Sequence, residues 1–213
     1  MIEKLENRRL MDAAITGGSG HAGILVDVHN VNGAIVGTAN IDYHAPGWFD
    51  NGQGNGNPLT GADGLITVSY NPGQTVQSQM GTVNPDRIIH GGIAGDLRIA
   101  AWLKRETDPS GGQNGTIDLD ALALANQSVT FCTNACWTFA TYFVWDTNCY
   151  MFADEAIRQE SGYPMEADSC TWDGLMNDLT AAQKWLKTHP VRKVLPVRYD
   201  MKVSAIKDFL DKQ

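Results

Sequence analysis

Cys132-Thr133-Asn134-Ala135-Cys136-Trp137-Thr138-Phe139-Ala140-Thr141-Tyr142-Phe143 sets two of the four cysteines at the head of an apolar, aromatic run. Read as a helix start, it puts the Cys136 thiol among the unpaired N–H groups of a first turn, where the macrodipole favours negative charge. That setting makes a reactive thiolate accessible near neutral pH. A thiol nucleophile also needs a histidine base within hydrogen-bond reach and a third group that orients the ring. Of the five histidines, His21 has the most suitable context, because it follows Gly17-Gly18-Ser19-Gly20 and opens a strand. On the returning strand Thr38, Asn40 and Asp42 share one face by the two-residue period, and Asn40 is placed to hydrogen-bond the ring. The candidate catalytic set is therefore Cys136 as nucleophile, His21 as base and Asn40 as orienter.

The elements that must position these groups are legible in part. Residues 2–13 read as a short charged helix. Ala22-Gly23-Ile24-Leu25-Val26-Asp27-Val28-His29 reads as a mostly buried strand. Asn32-Gly33 supplies the left-handed dihedrals of a tight hairpin turn, and residues 34–43 return as the second strand. Residues 44–62 form a long Gly/Asn loop of the kind that serves as a lid. Leu65-Ile66-Thr67-Val68-Ser69-Tyr70 alternates as a half-buried strand. The second half turns helical, with helices over 95–104 and 118–125, one at Cys136, one near 152–161 and an amphipathic one from Trp172 to Lys187. A last strand over 194–199 and a helix over 203–212 close the chain. Strands first and helices second predict a single α+β domain over 1–213, strand-rich over 14–90 and helix-rich over 91–213. Its N-terminal antiparallel sheet would pack on the helical C-terminal half.

Ser19-Gly20-His21-Ala22-Gly23-Ile24-Leu25-Val26, a hairpin turn, and Ile35-Val36-Gly37-Thr38-Ala39-Asn40 together resemble the histidine hairpin of NlpC-like and CHAP-type amidases. In those papain-like enzymes a polar residue on the next strand orients the histidine. Cys136-Trp137-Thr138-Phe139-Ala140 is likewise similar to the cysteine helix start of papain-type peptidases. Here the histidine precedes the cysteine. That is the order of the circularly permuted branch, which includes lecithin–retinol acyltransferase. In that branch the cysteine often follows an Asn directly, whereas Asn134 lies two residues ahead of Cys136. The resemblance implies a permuted papain-like fold, an amide or ester bond as the target, and a peptide, peptidoglycan or acyl substrate. No residue matches the oxyanion-hole glutamine of the papain pattern.

The same residues have structural readings. Cys136 reads equally as half of a disulfide or as an inert core thiol, His21 as a loop-edge histidine, and Trp137, Phe139, Tyr142 and Phe143 as core aromatics. No cofactor is implied. Cys132 and Cys136 would share a helix face, but no second Cys or His pair has zinc-site spacing. The loop from Asp108 to Asp120 carries the Gly-x-Ile-Asp phrase of a calcium loop, yet Gly115 at position six leaves positions one and twelve to Ser110 and Ala121. Asp118 is better read as a helix cap. Asp42, His44, Asp50 and His90 form a looser metal candidate, and Trp48 and Phe49 suit a sugar or partner surface.

Composition bounds the partners. A formal net charge of -8 over 213 residues argues against a phosphate-backbone binder, so nucleic acid is an unexpected partner. No apolar run approaches the roughly 20 residues of a membrane span. The N-terminal Leu5-Glu6-Asn7-Arg8-Arg9-Leu10 lacks the apolar core of a secretory signal, and is similar to a short leader of certain exported proteins. Cys132, Cys136, Cys149 and Cys170 cluster in the C-terminal half, which favours at least one disulfide and an oxidising, extracellular or cell-surface setting. Two functions follow. One is a papain-like cysteine hydrolase, amidase or acyltransferase. The other is a non-enzymatic extracellular or virion component with disulfide-bonded cysteines. Composition does not fix the oligomeric state.

Overall fold

The computed structural model describes residues 12–30, 32–46, 56–106, 117–119, 123, 129–132, 139, 141–142, 144–145, 147–165 and 169–189. Its centre is an antiparallel sheet. The strands are β1 (Ala13–Gly18), β2 (His21–His29), β3 (Ile35–His44), β6 (Leu65–Pro72), β7 (Ile88–Ile89) and β8 (Val129–Cys132), in the spatial order β7-β1-β2-β3-β6-β8. β4 (Gly56–Asn57), β5 (Gly61–Asp63) and β9 (Thr141–Tyr142) form a second, smaller sheet. The described helices are α1 (Val76–Met80), α2 (Gly92–Glu106), α3 (Cys149–Ser161) and α4 (Trp172–Thr188). The fold is α+β, with the sheet against the later helices.

β2 is apolar on both faces because both faces are covered. Ala22, Ile24, Val26 and Val28 join the main core with Ile99, Phe152, Ala156 and Ile157, while Leu25 packs with Ala14, Val76 and Ile88 in a second cluster. The β2–β3 turn forms where Asn32-Gly33 predicts it. Asn30 Oδ1 accepts from the N–H groups of Asn32 and Ala34, and Gly33 takes φ 74°, a left-handed value suited to glycine.

Helix α3 is defined at both ends by its sequence. The Asn148 side chain caps it by accepting from Tyr150 N and Met151 N, and Gly162 at φ 67° ends it. Its buried face, including Phe152, Ala153, Ala156 and Ile157, seats it on the sheet. The Phe152 ring lies 5.3 Å from Tyr43 and 5.2 Å from Trp102, between centroids.

Three expectations are corrected. Ala13–Gly18 is a strand, because β1 pairs with β2 over six residues and fills the sheet between β2 and β7. The long loop after β3 carries β4 and β5, which pair with each other and with β9. The helix expected over Cys132–Phe143 has strands at its described ends. Cys132 pairs with Leu65, and Thr141 and Tyr142 pair with Asp63 and Ala62. Val129, Thr130, Phe131, Thr141 and Tyr142 are β-branched or aromatic, and a sheet edge in reach outweighs their helix-like spacing. The expected elements before residue 12 and after residue 189 lie outside the described residues.

Candidate functional site

His21 opens β2, paired with Gly18 across the β1–β2 hairpin. Its Nε2 lies 3.0 Å from Asp42 Oδ1. The other carboxylate oxygen, Oδ2, accepts from Asn40 Nδ2 at 2.7 Å. Asn40 is thus brought to the site, but it holds the Asp42 carboxylate rather than the imidazole. Gly23, in register with Asp42, makes room for this arrangement, since a Cβ there would lie 2.4 Å from Asp42 Oδ1.

The thiol that acts on His21 belongs to Cys149, whose sulfur favours the charged form of the ring. Cys149 is the first residue of α3, buried, and a free thiol. Burial works against the imidazolium, but the Asp42 hydrogen bond and the nearby Cys149 sulfur outweigh it and raise the His21 pKa to about 9. The ring is therefore protonated at neutral pH. The imidazolium and the α3 N-terminus both place positive potential at the sulfur.

Two further contacts fix the nucleophile end. Asn148 Nδ2 donates to Val144 O and Cys170 O, so the cap also pins the segments on either side of α3. The Tyr142 hydroxyl lies 4.0 Å from Cys149 Sγ as a donor. Burial, then the adjacent sulfur, push the Tyr142 pKa upward, so the hydroxyl remains a proton donor throughout the working pH range. The Tyr43 ring lies tilted beside it, 5.2 Å between centroids, and its hydroxyl donates to Phe139 O at 2.9 Å.

Cys136 lies outside the described residues, as do the calcium-like loop, Trp48, Phe49 and Asp50. Cys132 sits on β8, and Cys170 is an exposed free thiol. The looser metal candidate is taken apart by the fold. Asp42 serves His21, and His44 donates from Nδ1 to Ala45 O while Nε2 meets Thr67 Oγ1 at 2.8 Å. His90 Nδ1 meets Asp12 Oδ1 at 2.6 Å. Among the described residues no group of three His, Cys, Asp or Glu side chains could hold a metal ion.

Cys149 and Asp42 are the two site residues that the sequence reading passed over. Cys149 had a signal. Asn148-Cys149 is an Asn immediately before a cysteine, followed by apolar residues at helical spacing, and Asn is a strong N-cap. Asp42 had a fainter one, being two residues beyond Asn40 on the same strand face.

At the far end of β2, about 26 Å from His21 at the usual strand rise, lies a second titratable cluster. His29 Nε2 meets Asp96 Oδ2 at 2.6 Å, and both are buried. Asp27 accepts from Val76 N and Asp12 N. Glu160, also buried, lies against Gly91 and Gly95, where a Cβ would come within 2.3 and 2.4 Å of its carboxyl atoms.

No protein-family model, no curated protein and no solved structure matches this chain.

Proposed function

We propose that the chain is a papain-like thiol hydrolase, amidase or acyltransferase acting on an amide or ester bond, with Cys149 as nucleophile, His21 as base and Asp42 as its orienter. One observation carries this reading: the Asp42 carboxylate holds the His21 ring, and the sulfur of Cys149, the first residue of a helix, favours the charged form of that ring. The histidine-first order and the Asn148-Cys149 step also agree with the permuted branch that the hairpin resembles.

In this reading His21 holds the Cys149 proton as the imidazolium, and the Sγ thiolate attacks the substrate carbonyl carbon, forming the C–S bond as the carbonyl π pair moves onto oxygen. The His21 imidazolium then gives its proton to the leaving amine or alcohol as the C–N or C–O bond breaks. Water, or an acceptor hydroxyl or amine, attacks the thioester, and His21 takes up the proton that it releases. Asp42 keeps the ring aligned, and Asn40 keeps Asp42 aligned. The Tyr142 hydroxyl, already a donor beside sulfur, transfers its hydrogen bond to the carbonyl oxygen as negative charge develops. Tyr142→Phe keeps the packed ring and removes that donor. It is expected to lower kcat about 10²–10³-fold, with little change in KM, in steady-state kinetics.

A peptide, peptidoglycan stem or acyl ester fits the rim, where Trp145 and Leu59 are exposed, 76% and 59%, on strands of chain joined by the Val144 N to Pro58 O bond. The test is acyl-enzyme trapping with p-nitrophenyl acetate. After an acid quench, peptide mapping by mass spectrometry is expected to find a thioester on Cys149. Acetylation confined to other residues overturns the proposal.

A further inference from the structure

A cation stands against the turn that leads into His21. Arg87 Nη1 donates to Gly17 O at 2.8 Å, and its guanidinium lies 4.9 Å over the Trp172 ring. Trp172 packs edge-on against Tyr150, 6.4 Å between centroids, and Tyr150 directly follows Cys149. The Tyr150 hydroxyl in turn donates to Ser19 O at 2.6 Å. Arg87 and Tyr150 therefore bracket the Gly17–Gly20 turn that leads into His21. The backbone under Arg87 is held as well, because Gln183 Nε2 donates to Asp86 O and Ile88 O, each at 2.8 Å.

This is a preorganised cation in a chain whose net charge is -8. Among the described residues no carboxylate pairs with Arg87, whereas Lys104 pairs with Asp118 and Arg158 with Glu155. A fixed guanidinium is suited to a planar two-oxygen anion, which it grips by two parallel N–H bonds. Its hydrogen bond to Gly17 uses Nη1 and leaves the Nε–Nη2 edge for that purpose.

Resting on the thiol-enzyme reading, we infer that Arg87 is a specificity residue that seats a carboxylate of the substrate, so the amide or ester cleaved at Cys149 carries an anionic group several bonds from the scissile carbonyl. The Trp172 and Tyr150 rings form the ledge between that carboxylate and the thiol.

A matched pair of alkylating probes tests this in the full-length protein. N-iodoacetyl-β-alanine carries a carboxylate several bonds from its reactive carbon, and its amide differs only in lacking the charge. The rate of Cys149 modification is followed by peptide mass spectrometry. The carboxylate probe is expected to react about tenfold faster than the amide, a ratio worth one good charge-assisted contact. Arg87→Gln is expected to bring the two rates to near parity while leaving the amide rate within twofold, which also shows that the site is intact. Arg87→Lys keeps the charge without the planar fork and is expected to retain part of the preference. A wild-type ratio near one, or a ratio that Arg87→Gln does not change, overturns the inference and leaves the thiol reading standing. Failure of both probes at Cys149, with Cys170 modified normally, overturns the thiol reading itself.

Discussion

If the chain is the proposed thiol enzyme, Cys149→Ala is expected to remove about 10⁶-fold of amide or ester turnover, leaving only what binding and oriented donors supply. His21→Ala is expected to cost nearly as much, and the double variant no more than either alone, because nucleophile and base act in one step. On the scale of the barrier a factor of 10⁶ is about 8 kcal/mol. A hydrogen bond to a charged group is worth only about 1.5–3 kcal/mol of stability. The two effects are therefore separable: activity collapses while the melting transition moves by a few degrees. Asp42→Asn keeps the shape and removes the charge facing Nε2. Turnover is expected to fall about 10²–10⁴-fold, and the His21 midpoint, followed by NMR of the imidazole, to move down from about 9. Steady-state kinetics on the single and double variants decide the matter. Normal turnover in Cys149→Ala, or turnover abolished only by Cys136→Ala, would reject Cys149 as the nucleophile.

The histidine side of this site was legible in the sequence because everything that builds it is local. His21, the Asn32-Gly33 turn and the two-residue period of β3 fix which residues face one another, and Asp42 follows from the same period that picked Asn40. The cysteine side was less legible: Cys136 lies outside the described residues, and what favours Cys149 is tertiary. Two cysteine-containing segments each look like a helix start, and spacing alone favours the more aromatic one at Cys136. What singles out Cys149 is contact: Asn148 ties its segment to Val144 and Cys170, and Tyr150 ties it to Ser19 beside His21. The small sheet was missed for a related reason. β4, β5 and β9 have two, three and two residues, too short for any periodicity, and exist only through their pairing. β1 was obscured by its Ala-Ala-Ile-Thr-Gly-Gly composition, which carries little strand preference of its own and takes its state from β2 and β7.

Stability is expected to fall as pH rises from about 4 to 9, the reverse of the usual acid side of a protein's profile. The reason is the sign of the shifts. Burial raises Asp27 from its ordinary 3.8 to about 6, against the hydrogen bonds from Val76 and Asp12 that pull it down. Burial raises Asp96 and Glu160 well above the carboxylate range, with neighbouring carboxylates adding to the effect in each. Asp12 raises His90, and His21 stands at about 9 against an ordinary 6.5. In every one of these groups the folded state holds its proton to higher pH than the unfolded chain does. The carboxyl contribution is intact below their unfolded values and is lost as pH rises, for Asp27 between 3.8 and about 6. The His21 contribution is complete below 6.5 and is lost as pH rises through about 9. The Asp27 step alone corresponds to about 3 kcal/mol across its window, a large part of the roughly 5–15 kcal/mol that holds a domain together. Urea unfolding at pH 4.5, 7 and 9 is expected to show the free energy declining at each step. Asp27→Asn should make the first step shallower, at the cost of one acceptor for the Val76 and Asp12 amides and hence of stability at pH 4.5. His21→Gln should make the last step shallower, with Asp96, Glu160 and His90 supplying what remains. A stability that climbs from pH 4.5 to 7 would show that these carboxylates are ionised and paired in the folded protein. The interior beneath β2 and α2 would then be held by ion pairs rather than by shared protons.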